Sequence, residues 1–180
     1  MMTSVSIVRE KEVGTMEVLL VSPIRPSKII FSKMIPYFVI SCLVLIIILL
    51  LSYYLLHVPM SGGVWGIFSL SLLYVLLSLS LGLMVSIVAK TQVMALLISA
   101  MVMMVPMLLL SGMLFPIENS PIFFQYFSNI VPARWYVEAI RKMMIQGSPF
   151  LAVWKEFTIL LGMTVAFLGV SLIKFNDKLE

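Results

Sequence analysis

Charge is scarce in this chain: Asp, Glu, Lys and Arg together make up 11% of its 180 residues. Soluble domains carry about 25%, so too little charge is present to coat a water-facing surface. Cysteine occurs once, as Cys42, and histidine once, as His57. Those counts exclude an internal disulfide, a CxxC redox pair and a thiolate zinc cage. No Gly-x-x-x-x-Gly-Lys-Ser/Thr segment occurs, so ATP is not cradled by a phosphate loop of this chain. Acidic residues and histidine are missing from the first three apolar runs, where an ion-coupled carrier would bury them.

What is present is apolar, at 62% hydrophobic residues and a mean hydropathy of +1.14. At 1.5 Å per residue, a bilayer core of about 30 Å takes roughly 20 apolar residues. Charge is absent from Met34 to Ala89 and from Thr91 to Pro116, with only Lys90 between. The pattern predicts an all-α integral membrane protein with transmembrane helices at residues 35–56, 64–88, 93–115 and 156–174. Residues 1–34 precede the first three spans (35–115), residues 116–155 form an extracytoplasmic helical segment, and 156–180 hold the last span and a tail. Pro59 and the Gly62-Gly63 pair predict a tight turn after the first span.

Four spans place both ends of the chain on one side. Eight of the 12 basic residues then lie with the termini, and Arg134, Arg141, Lys142 and Lys155 lie opposite. This bias predicts cytoplasmic termini in the cell membrane, with Trp65, Trp135, Trp154, Tyr53 and Tyr54 in the outer aromatic belt. Met1 to Val8 has no basic leader or cleavage pattern. It reads as the last turns of an earlier span flanked by Arg9-Glu10-Lys11-Glu12. Basic residues at span ends reflect topology, and nucleic acid is not expected as a partner.

Gly14 to Val21 reads as a short helix with Thr15 as N-cap and Glu17 near the positive end of its dipole. Pro23 ends it, and Pro26 opens the helix that runs through Lys28 and Lys33 into the membrane. Such an apolar helix either rests on lipid or docks in a partner's groove through Met16, Leu19 and Leu20.

Here the residues resemble a family. Arg9-Glu10-Lys11-Glu12, Gly14-Thr15-Met16-Glu17, Leu19-Leu20-Val21-Ser22-Pro23-Ile24-Arg25-Pro26 is similar to the cytoplasmic loop of ABC-2-type exporter permeases. Leu110-Ser111-Gly112-Met113-Leu114-Phe115-Pro116-Ile117-Glu118-Asn119-Ser120-Pro121 resembles that family's second signature, in which methionine often stands at the position of Ser120. The resemblance covers nearly the whole chain and implies the C-terminal half of a permease that usually has six spans. It implies an ABC ATPase subunit as partner, carrying the ATP and Mg, with no cofactor on this chain. A homodimer or a second permease subunit would complete the assembly. It further implies that Arg9, Glu10, Glu12, Gly14, Thr15, Glu17, Leu20 and Pro23 couple to the ATPase. Phe115, Pro116, Pro121, Pro132 and Arg134 are implied to form an outer gate of re-entrant helices. The function so implied is outward movement of drugs or other amphiphilic compounds by a permease that is not itself an enzyme. A non-transporting membrane interaction protein, or a truncated remnant of such a permease, stays open as the alternative.

The outer segment divides into a short helix opened by Pro121 and a second from Pro132 to about Gln146, stopped by Gly147. The second is amphipathic, with Glu138 within pairing distance of Arg134, Arg141 and Lys142. Ser78, Gly82 and Ser86 repeat every four residues and predict a close helix–helix face, as do Gly162 and Ala166. Pro106 predicts a kink in the third span. The methionines of that span, Met101 and Met104 among them, suit soft packing better than Cu(I) ligation. Nothing in the sequence forces Ser111 and His57 into the contact a protease needs.

Overall fold

The computed structural model describes residues 2–13, 26–58, 62–112 and 121–177. Its helices are α1 (Met2–Glu12), α2 (Pro26–Tyr54), α3 (Val64–Val88), α4 (Gln92–Leu110), α5 (Ile122–Ser128), α6 (Pro132–Met144) and α7 (Trp154–Asp177), and no strand occurs among the described residues. Four stretches are long and apolar enough to cross a membrane: Ser32–Tyr54, Val64–Val88, Gln92–Leu110 and Phe150–Lys174. The protein is thus an all-α membrane protein.

The spans run back and forth. α1 ends, α2 begins, α3 ends and α4 begins at one end of the bundle, the Lys90 end. The C-terminus of α2, the helices α5 and α6 and the start of α7 occupy the other, the Trp65 end. Where a helix stops, local chemistry stops it. α2 ends before His57, whose φ of 50° is left-handed, and Gly63 precedes α3 at φ 92°. Ala89 leaves the helical conformation at ψ 134°, and Thr91 caps α4 by accepting from the Met94 amide. Gly147, at φ 66°, turns the chain after α6.

α3 is the centre. Of its spanning stretch 56% is buried, against 6% for α2 and 11% for α4. Ile67, Leu70, Leu73 and Leu77 pack with Ala139 and Met143 of α6, with Val153 just before α7 and with Leu160 of α7. Toward the Lys90 end, Leu79, Leu83 and Ile87 pack with Ile7 of α1 and Met34 of α2. The buried serines of α3 are satisfied inside their own helix: Ser71, Ser80 and Ser86 donate to the carbonyls of Ile67, Leu77 and Leu83 at 2.8, 2.7 and 2.6 Å. A hydroxyl that bonds the preceding turn is cheap to bury where no water reaches.

α4 is not a uniform helix. An α-helical half, Gln92–Ser99, gives way to a π turn, Ala100–Met104, and then to Val105–Leu110. Pro106 lies in the first turn of that last piece. Proline lacks an amide and crowds the preceding turn, and the wider π turn in front of it is the form the irregularity takes.

Two glycines test this packing. A β-carbon on Gly62 would lie 2.6 Å from the Met143 carbonyl oxygen and 2.7 Å from that of Ser148, whereas one on Gly162 would meet nothing within 4 Å. Gly62→Ala is expected to destabilise the protein by about 1–3 kcal/mol through overpacking. Gly162→Ala should stabilise α7 by up to about 1 kcal/mol, the helix-propensity difference. Thermal unfolding in detergent reads both, and equal effects would refute the assignment.

Candidate functional site

At the Lys90 end three helices converge on the acidic end of α1. Glu10 forms an ion pair with Lys33 of α2. Glu12 accepts, on one carboxylate oxygen, the Gln92 side-chain amide at 2.9 Å and the Gln92 backbone amide at 3.2 Å. The first residue of α4 is therefore held by α1, and the carboxylate lies at the positive end of the helix dipole. Arg9 is exposed. Two turns deeper, the Ser4 and Ser99 hydroxyls share a hydrogen bond of 3.1 Å, and between them Val8, Ala89 and Ala95 form a small buried cluster. Gly14, Thr15, Glu17, Leu20 and Pro23 lie outside the described residues.

Of the small residues singled out in the spans, Gly82 and Ser86 are buried on α3 and Ser78 is half-buried. A β-carbon on Gly82 would touch the Thr3 side chain at 3.4 Å, so α1 lies close along this face. Gly162 and Ala166 are exposed on α7.

At the Trp65 end, Pro121 caps α5 and Pro132 starts α6. Phe115 and Pro116 lie outside the described residues. Arg134 does not pair with Glu138. Its guanidinium instead donates to the Gln125 carbonyl at 3.2 Å, to the Ser128 hydroxyl and to the Asn129 side-chain oxygen at 2.7 Å. The Ser128 hydroxyl donates to the same Gln125 carbonyl at 2.8 Å, so Arg134 joins a hydrogen-bonded cluster at the C-terminal end of α5. The Trp135 indole donates to the Asn129 carbonyl at 3.0 Å, which closes the α5–α6 corner. Arg141 also turns from Glu138 and donates to the Gly112 carbonyl at 3.3 Å.

Lys142 alone takes Glu138, at 2.8 Å, and it also reaches Glu156 of α7 at 2.6 Å. Glu156 is only 3% exposed. The two hydrogen bonds, Glu138 first and then Glu156, hold the Lys142 ammonium above the ordinary lysine range, with burial acting the other way. Beneath this cluster Tyr74 of α3 stacks on Tyr136 of α6, ring centres 4.2 Å apart. The Tyr136 hydroxyl shares a 3.0 Å hydrogen bond with Ser71. Burial raises the Tyr136 phenol above its ordinary range, and the bond to Ser71 lowers it in part. The end as built is a clamp: α6 lies across α3 and α7, fixed by an ion pair, a stacked ring pair and the Gly62 amide, which donates to the Met143 carbonyl at 3.0 Å.

Sequence reasoning passed over Glu12–Gln92, Lys142–Glu156 and Tyr74–Tyr136–Ser71. Only Glu156 carried a signal: it is an acidic residue heading the last span, and Lys142 is the cation nearest to it on the amphipathic helix.

Lys142→Met should leave the Glu156 carboxylate buried without its counterion and cost about 3 kcal/mol, while Lys142→Met with Glu156→Leu recovers most of that loss. A lysine raised in the folded state contributes fully below its unfolded value, and the contribution disappears as pH rises through the raised folded value. The difference between wild type and Lys142→Met is therefore expected to persist through neutral pH and vanish only on the alkaline side of about 10.4. Melting temperature against pH checks this, and purely additive single and double losses would count against the pair.

A family model described as ABC-2 type transporter matches residues 1–145. "Probable multidrug ABC transporter permease YbhS" of Escherichia coli (strain K12) is 29% identical over 179 residues, 99% of this chain and 48% of that protein. "Inner membrane transport permease YhhJ" of the same strain is 30% identical over 186 residues, again 99% and 48%. "ABC transporter G family member 20" of Dictyostelium discoideum is 29% identical over 178 residues, 98% of this chain and 24% of that protein. The chain spans about half the length of the bacterial relatives. No solved structure matches it. With four apolar spans, a charged flank gathered at one end and a family match over most of its length, the chain belongs to the ABC-2 type transporter family.

Proposed function

We propose that the chain is the membrane-embedded permease part of an ATP-driven exporter, moving drugs or other amphiphilic compounds outward. The observation that carries the reading is the convergence at the Lys90 end, where Glu10 and Glu12 fasten α1 to α2 and α4. A segment inserted between α1 and α2 enters and leaves at that fixed point, which is what a docking element needs in order to pull on spans rather than flex. In this reading Gly14 to Pro23 engages a separate ABC ATPase subunit, which holds the ATP and Mg. Met16, Leu19 and Leu20 enter its groove. The Lys90 end faces the cytoplasm, as the basic residues favour.

At the opposite end the α5–α6 clamp acts as the outer gate. The broad apolar surfaces of α2 and α4 meet lipid and a second permease subunit, either a copy or a paralogue. The substrate class follows the bacterial relatives, which include probable multidrug permeases. The spans themselves carry no charged site that would select a polar solute.

Mild-detergent capture from cells tests the assembly, with an antibody to the C-terminal tail. An ATPase attached to the captured chain is the expected result. A lone 20.2 kDa species would favour the non-transporting alternative. In the captured complex, Glu17→Lys and Gly14→Pro should abolish stimulation of the ATPase without loss of membrane insertion. Unchanged stimulation would count against the coupling role.

A further inference from the structure

We propose that Glu12 is a positioning residue that fastens α1 to the first half of α4, and that α4 hinges at its π turn. Movement of the segment after α1 then reaches the far half of α4. The proposal rests on the coupling reading above and gives it a route through the membrane.

Three observations meet in one helix. In its first half, α4 is bound to α1: Glu12 holds Gln92 by two hydrogen bonds to one oxygen, Ser4 meets Ser99 at 3.1 Å, and Ala95 is buried with Val8. These contacts involve side chains on both sides of the helix pair over two turns, so α1 and Gln92–Ser99 form one body. At the next residue the attachment ends. No side chain of Ala100–Met104 or Val105–Leu110 is buried. The far half instead lies beside α5 and α6, with Tyr74 reaching the Met107 sulfur at 3.8 Å and Arg141 the Gly112 carbonyl at 3.3 Å.

The change of backbone type falls on this boundary. In the π turn the Val105 amide bonds the Ala100 carbonyl, five residues back. Pro106 follows with no amide to give. Short π segments inside α-helices occur mostly as single turns and mark sites of bending or function. A helix fastened to α1 up to Ser99, weakened over the next turn and lying beyond it against α5 and α6 with no side chain of Val105–Leu110 buried bends at that turn when its held half is moved. Glu12 is the group that makes the held half follow α1. Its carboxylate is directed at Gln92, so its role lies inside the chain, beside the family-implied role of the neighbouring signature residues toward the ATPase.

The test uses the full chain in lipid nanodiscs, in a Cys42→Ser background, with spin labels at exposed positions. Pair Val64→Cys with Val93→Cys reports how firmly the first half of α4 is set against α3. Pair Val93→Cys with Leu109→Cys spans the π turn, about 24 Å in a straight helix. The proposal expects a narrow 64–93 distance distribution and a broad or two-peaked 93–109 distribution. Glu12→Ala should widen the 64–93 distribution, and Glu12→Gln, which keeps an acceptor oxygen, should restore it. Gln92→Leu removes the side-chain donor from the other partner and should reproduce the Glu12→Ala result. A 93–109 distribution as narrow as that of a straight helix overturns the hinge, and an unchanged 64–93 distribution in both Glu12→Ala and Gln92→Leu overturns the positioning role.

With the captured ATPase and nucleotide present, the 93–109 distance should shift in wild type and stay still in Gln92→Leu, in which the partner remains bound. If wild type captures no ATPase, the coupling reading fails, and the distances in the isolated chain still decide the proposal. If the ATPase binds and nucleotide leaves the 93–109 distance unchanged, the hinge is refuted.

Discussion

Everything in this bundle depends on how closely α3 can be approached. Lipid tails are as apolar as leucine, so no hydrophobic force draws helices together inside a bilayer, and close packing with internal hydrogen bonding has to do it. α3 meets that condition with glycine and serine. Gly82 lets Thr3 lie against its backbone, and Gly66 lies beneath the Met143 and Phe150 side chains. Its buried hydroxyls are turned back onto their own carbonyls. The result is a central helix rich in serine, whose buried hydroxyls present no unsatisfied polar face to its neighbours.

Charge is used only at the margins. Glu10–Lys33 and Glu12–Gln92 lie at one end, and Glu138–Lys142–Glu156 at the other. At these depths water and headgroups soften the desolvation of ions, while the pairing still fixes which helix meets which. The two ends differ in kind. The Lys90 end joins spans to one another through α1, whereas the Trp65 end holds spans under a separate lid made of α5 and α6. Rings strengthen that lid: Tyr74 on Tyr136, and the Arg134 and Lys155 cations over Trp135 at 5.5 and 5.9 Å.

The spans are legible in the sequence because a bilayer expels charge over a length set by its thickness, and charge is easy to see. The starts of α2 at Pro26 and of α6 at Pro132, and the stop at Gly147, are legible for a similar reason, since backbone chemistry is local. Partner choice is not. Periodicity places Glu138 beside Arg134, Arg141 and Lys142, yet Arg134 and Arg141 are drawn away to the carbonyls of Gln125 and Gly112. Those carbonyls exist only once α5 has ended and α4 has arrived. Glu12 and Gln92 stand far apart in the chain, and each looks like an ordinary surface residue. Pro106 announces an irregularity without saying that it takes the form of a wide turn five residues long. Seven of the thirteen coupling and gate residues, Gly14, Thr15, Glu17, Leu20, Pro23, Phe115 and Pro116, lie outside the described residues.

The crowding at Gly62 has a consequence for how the protein is made. Gly62, just before α3, is fastened to the Met143 carbonyl and lies close against that of Ser148. Both belong to a part of the chain that a ribosome delivers only after α3 and α4 have been threaded into the membrane. Until then α2 stands in lipid with its exit unfastened, apart from its contact with α3 and the ion pair at its start. The Gly62 hydrogen bond to Met143 therefore forms only after α6 has emerged, later than the contacts of α2 with α1 and α3.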